Sequence, residues 1–416
     1  MVSTEYPPMQ GGVGRYTKNL VTALRNLGIH DVYVVCNEKG AGDFIGLQSS
    51  NNYNSDILLE LVDKLHFDIV HVQYEPGLYG LKLSGLNPKN TSTNIDTFYD
   101  KCGIPIITTF HSAYTFRQWM NLVVRIRNKE TENRILTNIN MLFSYWRHLI
   151  NYQSFSYLNR HKLEKSAAGI AFSNYLSRLI SGDDISSECN VIYHGSASAL
   201  STSVTKNEAR KRLNLPGITK VNKDNNIVNN YHNCQKIALA LGFRTSTKGW
   251  DIFKHMDIPP DWTIVLNHSQ NHYNKEIIDL EYLEYNEKIL DLRSDFLSDD
   301  NLSLLMYAAD AIILPYKVCS ASGVMFDALA HGLPFVASNL PFFKEFAAHN
   351  LGILVRNRDP NEFSTALEAL GRDYSTYKNA VDTFKGKLDW EFVAREHTKI
   401  YMKVMNEGRK SNVIAE

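Results

Sequence analysis

Residues Ser3–Tyr16 read STEYPPMQGGVGRY. Two prolines and two glycines stand directly ahead of a run, with a third glycine inside it, in which Val13, Tyr16, Leu20, Leu24 and Leu27 recur at spacings of three and four. That recurrence is one face of a helix, and Gly28 suits its C-terminus. Pro7 and Pro8 fix an extended entry and donate no hydrogen bonds. Gly11 and Gly12 let the backbone approach something closely or take positive φ. The stretch is therefore a loop feeding a helix N-terminus, where free N–H groups and the dipole favour an anion. On this stretch alone, an anion-binding loop and an ordinary strand-to-helix turn stand equal.

Outward from that loop, short apolar runs alternate with helical patterns. The spacing predicts strands at Val32–Cys36, Ile69–Gln73, Pro105–Thr109, Ala168–Phe172 and Val191–Tyr193. A second series follows at Ile237–Leu241, Thr263–Asn267, Ala311–Leu314, Pro334–Ala337 and Gly352–Val355. Alternation of this kind argues for parallel sheets covered on both faces, and two series argue for two doubly wound α/β domains. Each series opens on a glycine-bearing loop, GGVG and then GFRTSTKG, which points to a ligand in a cleft between the domains at the carboxyl ends of strands. The expected divisions are an N-terminal domain over 1–205, a linker over 206–235, a second domain over 236–387 and a final helical segment over 388–416. The linker contains the Asn-rich, apolar-poor run KVNKDNNIVNNYHNC. Only Met1-Val2-Ser3 precede the first loop, so the expectation is either a very short first strand or residues missing upstream, with the second favoured.

The chain has 416 residues with 44 basic and 44 acidic side chains, a balance that gives no global signal for nucleic acid. Five scattered cysteines with no paired spacing argue against a disulfide framework or a zinc site and for a reducing compartment. No run of eighteen apolar residues is present, and no signal peptide is visible. The expected location is cytoplasmic, at most at the inner face of a membrane.

Several stretches together resemble the retaining, nucleotide-sugar-dependent glycosyltransferases of family 4, which have the GT-B fold. They are YPPMQGGVGRY, DIVHVQYEPGLYG (68–80), IPIITTFHSAY (104–114), IAFSNYLSRLI (170–180), VIYHGS (191–196), GFRTSTKGWDIF (242–253) and the long stretch over 302–346, of which Tyr307–Ser338 is the most specific. The resemblance implies two Rossmann-like domains facing a central cleft, with the last helix crossing back to the first domain. It also implies transfer of a hexose from a nucleotide diphosphate sugar to a glycan or polyprenyl-linked acceptor, with no metal and no other cofactor.

Carried over residue by residue, the resemblance puts the backbone of Gly11 and Gly12 against the donor. It makes Lys248 and Arg244 the cations that meet the diphosphate, whose charge grows as the glycosidic bond breaks. The family usually spaces that arginine five or three residues before the lysine; here the gap is four. Ser322 is an expected N-cap, and the amides of Ser322, Gly323 and Val324 are expected at the diphosphate. Asp327 matches the carboxylate that binds ribose hydroxyls. Its companion glutamate should fall at 319, where this chain has Cys319, a departure that motivates a rival reading as a catalytically silent GT-B protein binding nucleotide or glycan. His111 sits at the sugar-contacting position, and Glu345 at a recurring family glutamate, for which donor contact and structural pairing remain equal. Tyr16 and Glu75 are acceptor-side candidates; a salt bridge from Glu75 to the opening loop is equally open. A dinucleotide-dependent oxidoreductase, the other rival, fails on the absence of G-x-G-x-x-G spacing in GGVGRY.

The segment 115–165 carries nine Arg or Lys (Arg117, Arg125, Arg127, Lys129, Arg134, Arg147, Arg160, Lys162, Lys165) against three Glu, with aromatics interleaved. It suits an anionic membrane surface or a polyprenyl phosphate, or else consists of helices whose aromatics are core and whose charges are solvated.

Overall fold

The computed structural model describes residues 1–83, 91–127, 137–182, 189–196, 204–215, 236–270, 288–292, 296–356 and 358–415, with backbone only over 123–127, 137–144 and 408–415. The Asn-rich run, Cys234, Lys129 and Arg134 lie outside the described residues, as do the side chains of Arg125 and Arg127. The chain divides into two compact units: Met1–Gly195 with Trp390–Glu416, and Ser196–Asp389.

In the first unit the strands are β1 (Val35–Asn37), β2 (Phe44–Leu47), β3 (Val70–Tyr74), β4 (Ile106–Phe110), β5 (Ala168–Ala171) and β6 (Cys189–Val191). β3 to β6 run side by side in chain order, and β1 pairs with β2, all parallel. Val2 joins the two sets, bridging Val35 on one side and Val72 on the other. Backbone bonds from Val2 N–H to the His71 carbonyl (2.8 Å) and from Val35 N–H to the Met1 carbonyl (2.9 Å) fix it there. Met1–Ser3 thus take the place of a central strand. Helices α1 (Gly12–Leu27), α2 (Asn54–Leu65), α3 (Asp96–Lys101), α4 (Phe116–Arg127), α5 (Thr137–Glu164) and α6 (Asn174–Ser181) accompany the sheet. α1 ends where its periodicity predicts, with Gly28 in the left-handed region at φ 63°.

The second unit opens with α7 (Lys206–Arg212), then β7 (Lys236–Phe243), β8 (Trp262–Ser269), β9 (Ile289–Asp291), α8 (Asp299–Ala308), β10 (Ala311–Leu314), α9 (Gly323–Ala330), β11 (Phe335–Ser338), α10 (Pro341–Ala347), β12 (Gly352–Val355), α11 (Pro360–Arg372) and α12 (Tyr374–Phe384). Its parallel sheet has the order β12-β11-β10-β7-β8-β9. Trp262, Ile264, Leu266, Phe253, Phe363 and Leu367 form much of its core. α7 is tied down by Asp310, whose carboxylate accepts from Arg210 (2.7 Å) and from the Ile237 amide (2.8 Å) and also pairs with Lys206. The final helix, α13 (Trp390–Ala415), belongs to the first unit. There His397 and Tyr401 pack around α1 and β3, and Trp390 lies against Gly195 so closely that a Cβ at 195 would meet its ring at 2.5 Å.

In both sheets the chain order reverses at one place: between Val2 and β3 in the first unit, and between β7 and β10 in the second. Loops leaving adjacent strands in opposite directions open a crevice at their carboxyl ends, where α/β sheets bind ligands.

Candidate functional site

In the second unit, the loops after β7 and β10 flank that reversal. The β7 loop ends in a short 3₁₀ turn over Ser246–Lys248, followed by Gly249 at φ 76°. Glycine is required here twice over: the backbone is left-handed, and a Cβ would lie 1.9 Å from the Pro315 carbonyl oxygen. The Lys317 amide donates to the Thr247 carbonyl at 2.8 Å, clamping the two loops together. Lys248 runs past Gly242 and sets its ammonium 3.8 Å from the centre of the Tyr316 ring. Among the described residues Lys248 makes no ion pair; its charge lies against the Tyr316 ring face.

Arg244 donates through Nε to His268 Nδ1 at 2.6 Å, and His268 Nε2 lies 3.1 Å from Asp291 Oδ2. Neither His268 nor Asp291 is among the residues expected from sequence. Each lies far along the chain from the GFRTSTKG loop, and only the pairing of β8 with β7 and β9 brings them to it.

Ser322 caps α9 as expected, its hydroxyl accepting from the Met325 amide at 3.2 Å. The amides of Gly323 and Val324, in the first turn, have no partner within the helix. Cys319 is buried, its thiol pushed up to about 12 by burial with the Lys248 charge opposing, so it stands as a neutral thiol beside the lysine. Asp327 is buried one turn into α9 and accepts from the Ser196 hydroxyl. That hydroxyl is a structural partner for the carboxylate assigned to ribose. Glu345 is half-buried on α10.

In the first unit, the anion at the start of α1 is the chain's own. Glu5 is 3% exposed and its Oε1 accepts from the Gly14 amide at 2.7 Å. α1 has no side-chain cap from Gly11, and Glu5 supplies one from the preceding loop. A Cβ on Gly11 would fall 2.0 Å from the Glu5 carboxyl carbon, so this glycine makes room for Glu5; a Cβ on Gly12 would meet nothing within 4 Å. Of the two readings that stood equal for this helix start, the structure puts the chain's own Glu5 on the Gly14 amide, and Gly12 is the member of the glycine pair with open space before it.

Glu75 follows β3 on the other side of the reversal. Burial pushes its carboxyl up to about 7, and the negative charge of Glu5 adds to the rise. Its charged neighbour in the opening loop is thus a carboxylate, not the cation that a salt bridge requires. His111 follows β4 directly; its Nε2 faces Gln73 Oε1 at 2.9 Å, and burial pushes it down to about 3, with His194 adding, so it is neutral.

Tyr16 does not fit an acceptor-facing role. It is 1% exposed, ringed by His111, Phe172, His194 and Trp390, with its hydroxyl on His397 Nε2 at 3.3 Å. Its helical phase puts it on the same buried stripe as Leu20 and Leu24. Lys162, counted with the basic surface, is likewise core: it pairs with Asp96 at 2.7 Å and lies over the Tyr99 ring. The aromatics of that segment divide. Trp119 and Phe155 are buried, whereas Tyr145, Trp146 and Tyr157 on α5 are exposed.

Two parallel Rossmann-like sheets, each with a reversal flanked by glycine-bearing loops, are the architecture of the GT-B fold. The model for Glycosyltransferase Family 4 matches residues 10–195, and that for Glycosyl transferases group 1 matches residues 279–373; the chain belongs to this glycosyltransferase family. Its fold is similar to that of sucrose-phosphate synthase from Thermosynechococcus elongatus (TM-score 0.63, 15% identity, 98% of each chain covered). A glycosyltransferase from Rickettsia africae is similar too (TM-score 0.61, 15% identity, 97% of each chain). So is HepE from Anabaena in complex with UDP and glucose (TM-score 0.60, 13% identity, 97% of this chain and 98% of that one). No curated protein sequence matches the chain at a significant level. Among the described residues, no helix is long and apolar enough to cross a membrane.

Proposed function

We propose that the chain transfers a hexose from a nucleotide diphosphate sugar to a glycan or lipid-linked hydroxyl, with retention at the anomeric carbon and without a metal. The observation that carries this reading is the β7 loop, which among the described residues presents Lys248 with no carboxylate partner and Arg244 with its guanidinium held only at Nε. The UDP held by HepE supports a nucleotide donor for a chain of this fold. Charge gathers on the leaving diphosphate as the anomeric C–O bond breaks; Lys248, Arg244 and the first amides of α9 stabilise it. The acceptor hydroxyl attacks on the face the diphosphate leaves, the new C–O bond forms there, and the hydroxyl proton passes to the departing phosphate oxygen. With a neutral Cys319 where the family has glutamate, contacts to the sugar come from backbone amides at the start of α9.

A thermal-shift panel of UDP-, GDP- and ADP-sugars on the purified chain tests the reading. One nucleotide class should raise the melting temperature, the shift should vanish in Lys248→Ala, and the donor should be turned over. Binding without turnover favours the silent-protein reading that Cys319 motivates. No binding by any class refutes the donor site.

The exposed Tyr145, Trp146, Arg147 and Tyr157 support an acceptor presented at an anionic membrane surface, on the cytoplasmic face. Flotation with anionic liposomes tests this; unchanged binding in Trp146→Ala/Arg147→Glu removes it.

A further inference from the structure

We propose that His268 and Asp291 are positioning residues for Arg244, fixing its guanidinium as a fork for the donor diphosphate. The inference rests on the donor-site reading above.

A guanidinium only donates, so the His268 Nδ1 that receives Arg244 Nε–H at 2.6 Å must carry a lone pair. The imidazole proton then sits on Nε2, where it donates to Asp291 Oδ2 at 3.1 Å. Asp291 therefore selects the tautomer that can accept from Arg244. The assembly is rigid. His268 stands near the end of β8 with its side chain 1% exposed, and the Trp250 ring packs against it nearly perpendicular, at 80°, with centroids 5.9 Å apart. Asp291 closes β9 in register with Leu266, and the Arg244 amide is tied to the Ser269 carbonyl at 2.9 Å.

The order of the three groups decides what they do. A carboxylate bonded directly to Arg244 would cancel much of its charge toward a phosphate. A neutral imidazole between them orients Nε without that cancellation and keeps the carboxylate one ring further away. With Nε engaged, the two Nη groups form the end of the fork that remains, and a planar pair of N–H donors matches two phosphate oxygens. Among the described residues, no carboxylate forms an ion pair with Arg244.

The test is calorimetric titration of the full chain with UDP, GDP and ADP, continued with whichever binds, on Arg244→Ala, His268→Leu, His268→Asn, Asp291→Ala and the Arg244→Ala/His268→Leu double variant. The matching nucleoside serves as the control. Loss of the fork should weaken the diphosphate about tenfold in Arg244→Ala and nearly as much in His268→Leu. The nucleoside should bind alike throughout. Asn places Oδ1 where Nδ1 stood, so His268→Asn should recover to within about threefold of the parent. The double variant should bind no worse than Arg244→Ala alone. Full diphosphate affinity in His268→Leu with weakened Arg244→Ala overturns the inference and leaves the donor site standing. Equal loss in His268→Leu and His268→Asn also overturns it, because a packing role predicts that result. If Arg244→Ala and Lys248→Ala both bind as the parent does, or no diphosphate binds the parent, the donor-site reading fails and the inference with it. Should His268→Leu not fold, His268→Asn and Asp291→Ala carry the same comparison.

Discussion

Replacing Gly11 by alanine should destabilise the first unit through Glu5 alone. The backbone of Gly11 is extended, at φ 177°, so alanine costs nothing there in conformation. Its Cβ, however, would lie 2.0 Å from two atoms of the Glu5 carboxyl group and 2.2 Å from the third, so the carboxylate must leave. What goes with it is the charge-assisted bond to the Gly14 amide at 2.7 Å, which supplies the cap on α1. A buried bond of this kind contributes about 1.5–3 kcal/mol. Glu5→Ala forfeits the same bond by another route, and it leaves a void that the methyl group introduced by Gly11→Ala would partly fill. Each single variant should therefore lose about 2 kcal/mol, and the double variant about 2 rather than about 4, a coupling of about 2 kcal/mol. Denaturant titration of the four proteins measures it, and thermal melts should show the transition lowered by about 4–8 °C in each single variant. Gly12→Ala, with open space at its Cβ, is the control and should stay within about 0.5 kcal/mol of the parent. Strictly additive losses in the double variant would refute the reasoning, because they would mean that Gly11 is needed for something other than Glu5.

Gly249→Ala should cost about 2–5 kcal/mol, combining a left-handed residue with a Cβ 1.9 Å from the Pro315 carbonyl oxygen; a melt of the parent type would show that the two loops are not locked together. Asp310→Ala should cost about 3–5 kcal/mol, since it strands the buried Arg210 guanidinium and the Ile237 amide, and denaturant unfolding checks it. His397 is pushed down to about 4 by burial, and its unfolded value is near 6.5. The unfolded chain therefore binds the proton first as pH falls, so this stability is full above about pH 6.5 and drains away toward pH 4, by at most about 3 kcal/mol. Melting temperatures across that window should fall as pH falls, and His397→Gln should flatten the slope.

How far the amino-acid order reveals these features depends on whether a feature is local. α1 is periodic, ends on Gly28 and is predictable throughout; the Ser322 cap and the parallel strands of both sheets are equally readable. β2 (FIGL) and β9 (ILD) escape a sequence reading because the first carries Gly46 and the second ends on Asp291, residue types depleted in strands. Tyr16 misleads because a tyrosine beside a glycine loop looks like a ligand contact, whereas its helical phase places it on the buried stripe. Lys162 misleads because nothing nearby in the chain announces Asp96. The cap on α1 is hidden for a different reason: Glu5 precedes two prolines, and helix caps are sought next to the helix. His268 and Asp291 are set against Arg244 by strand pairing, and pairing register is not written in any one segment.

The first unit has a further property, rooted in where α13 falls in the chain. Tyr16 is sealed by Trp390 and His397, which are made only after the whole second unit. During synthesis the opening helix must wait on the ribosome, its aromatic face unsealed, while the entire second unit emerges and has time to collapse. A nascent chain halted before residue 390 should thus carry a finished inner segment and an unfinished outer one, and a chaperone that recognises sticky apolar surface would find its target in the earlier-made unit rather than at the growing end.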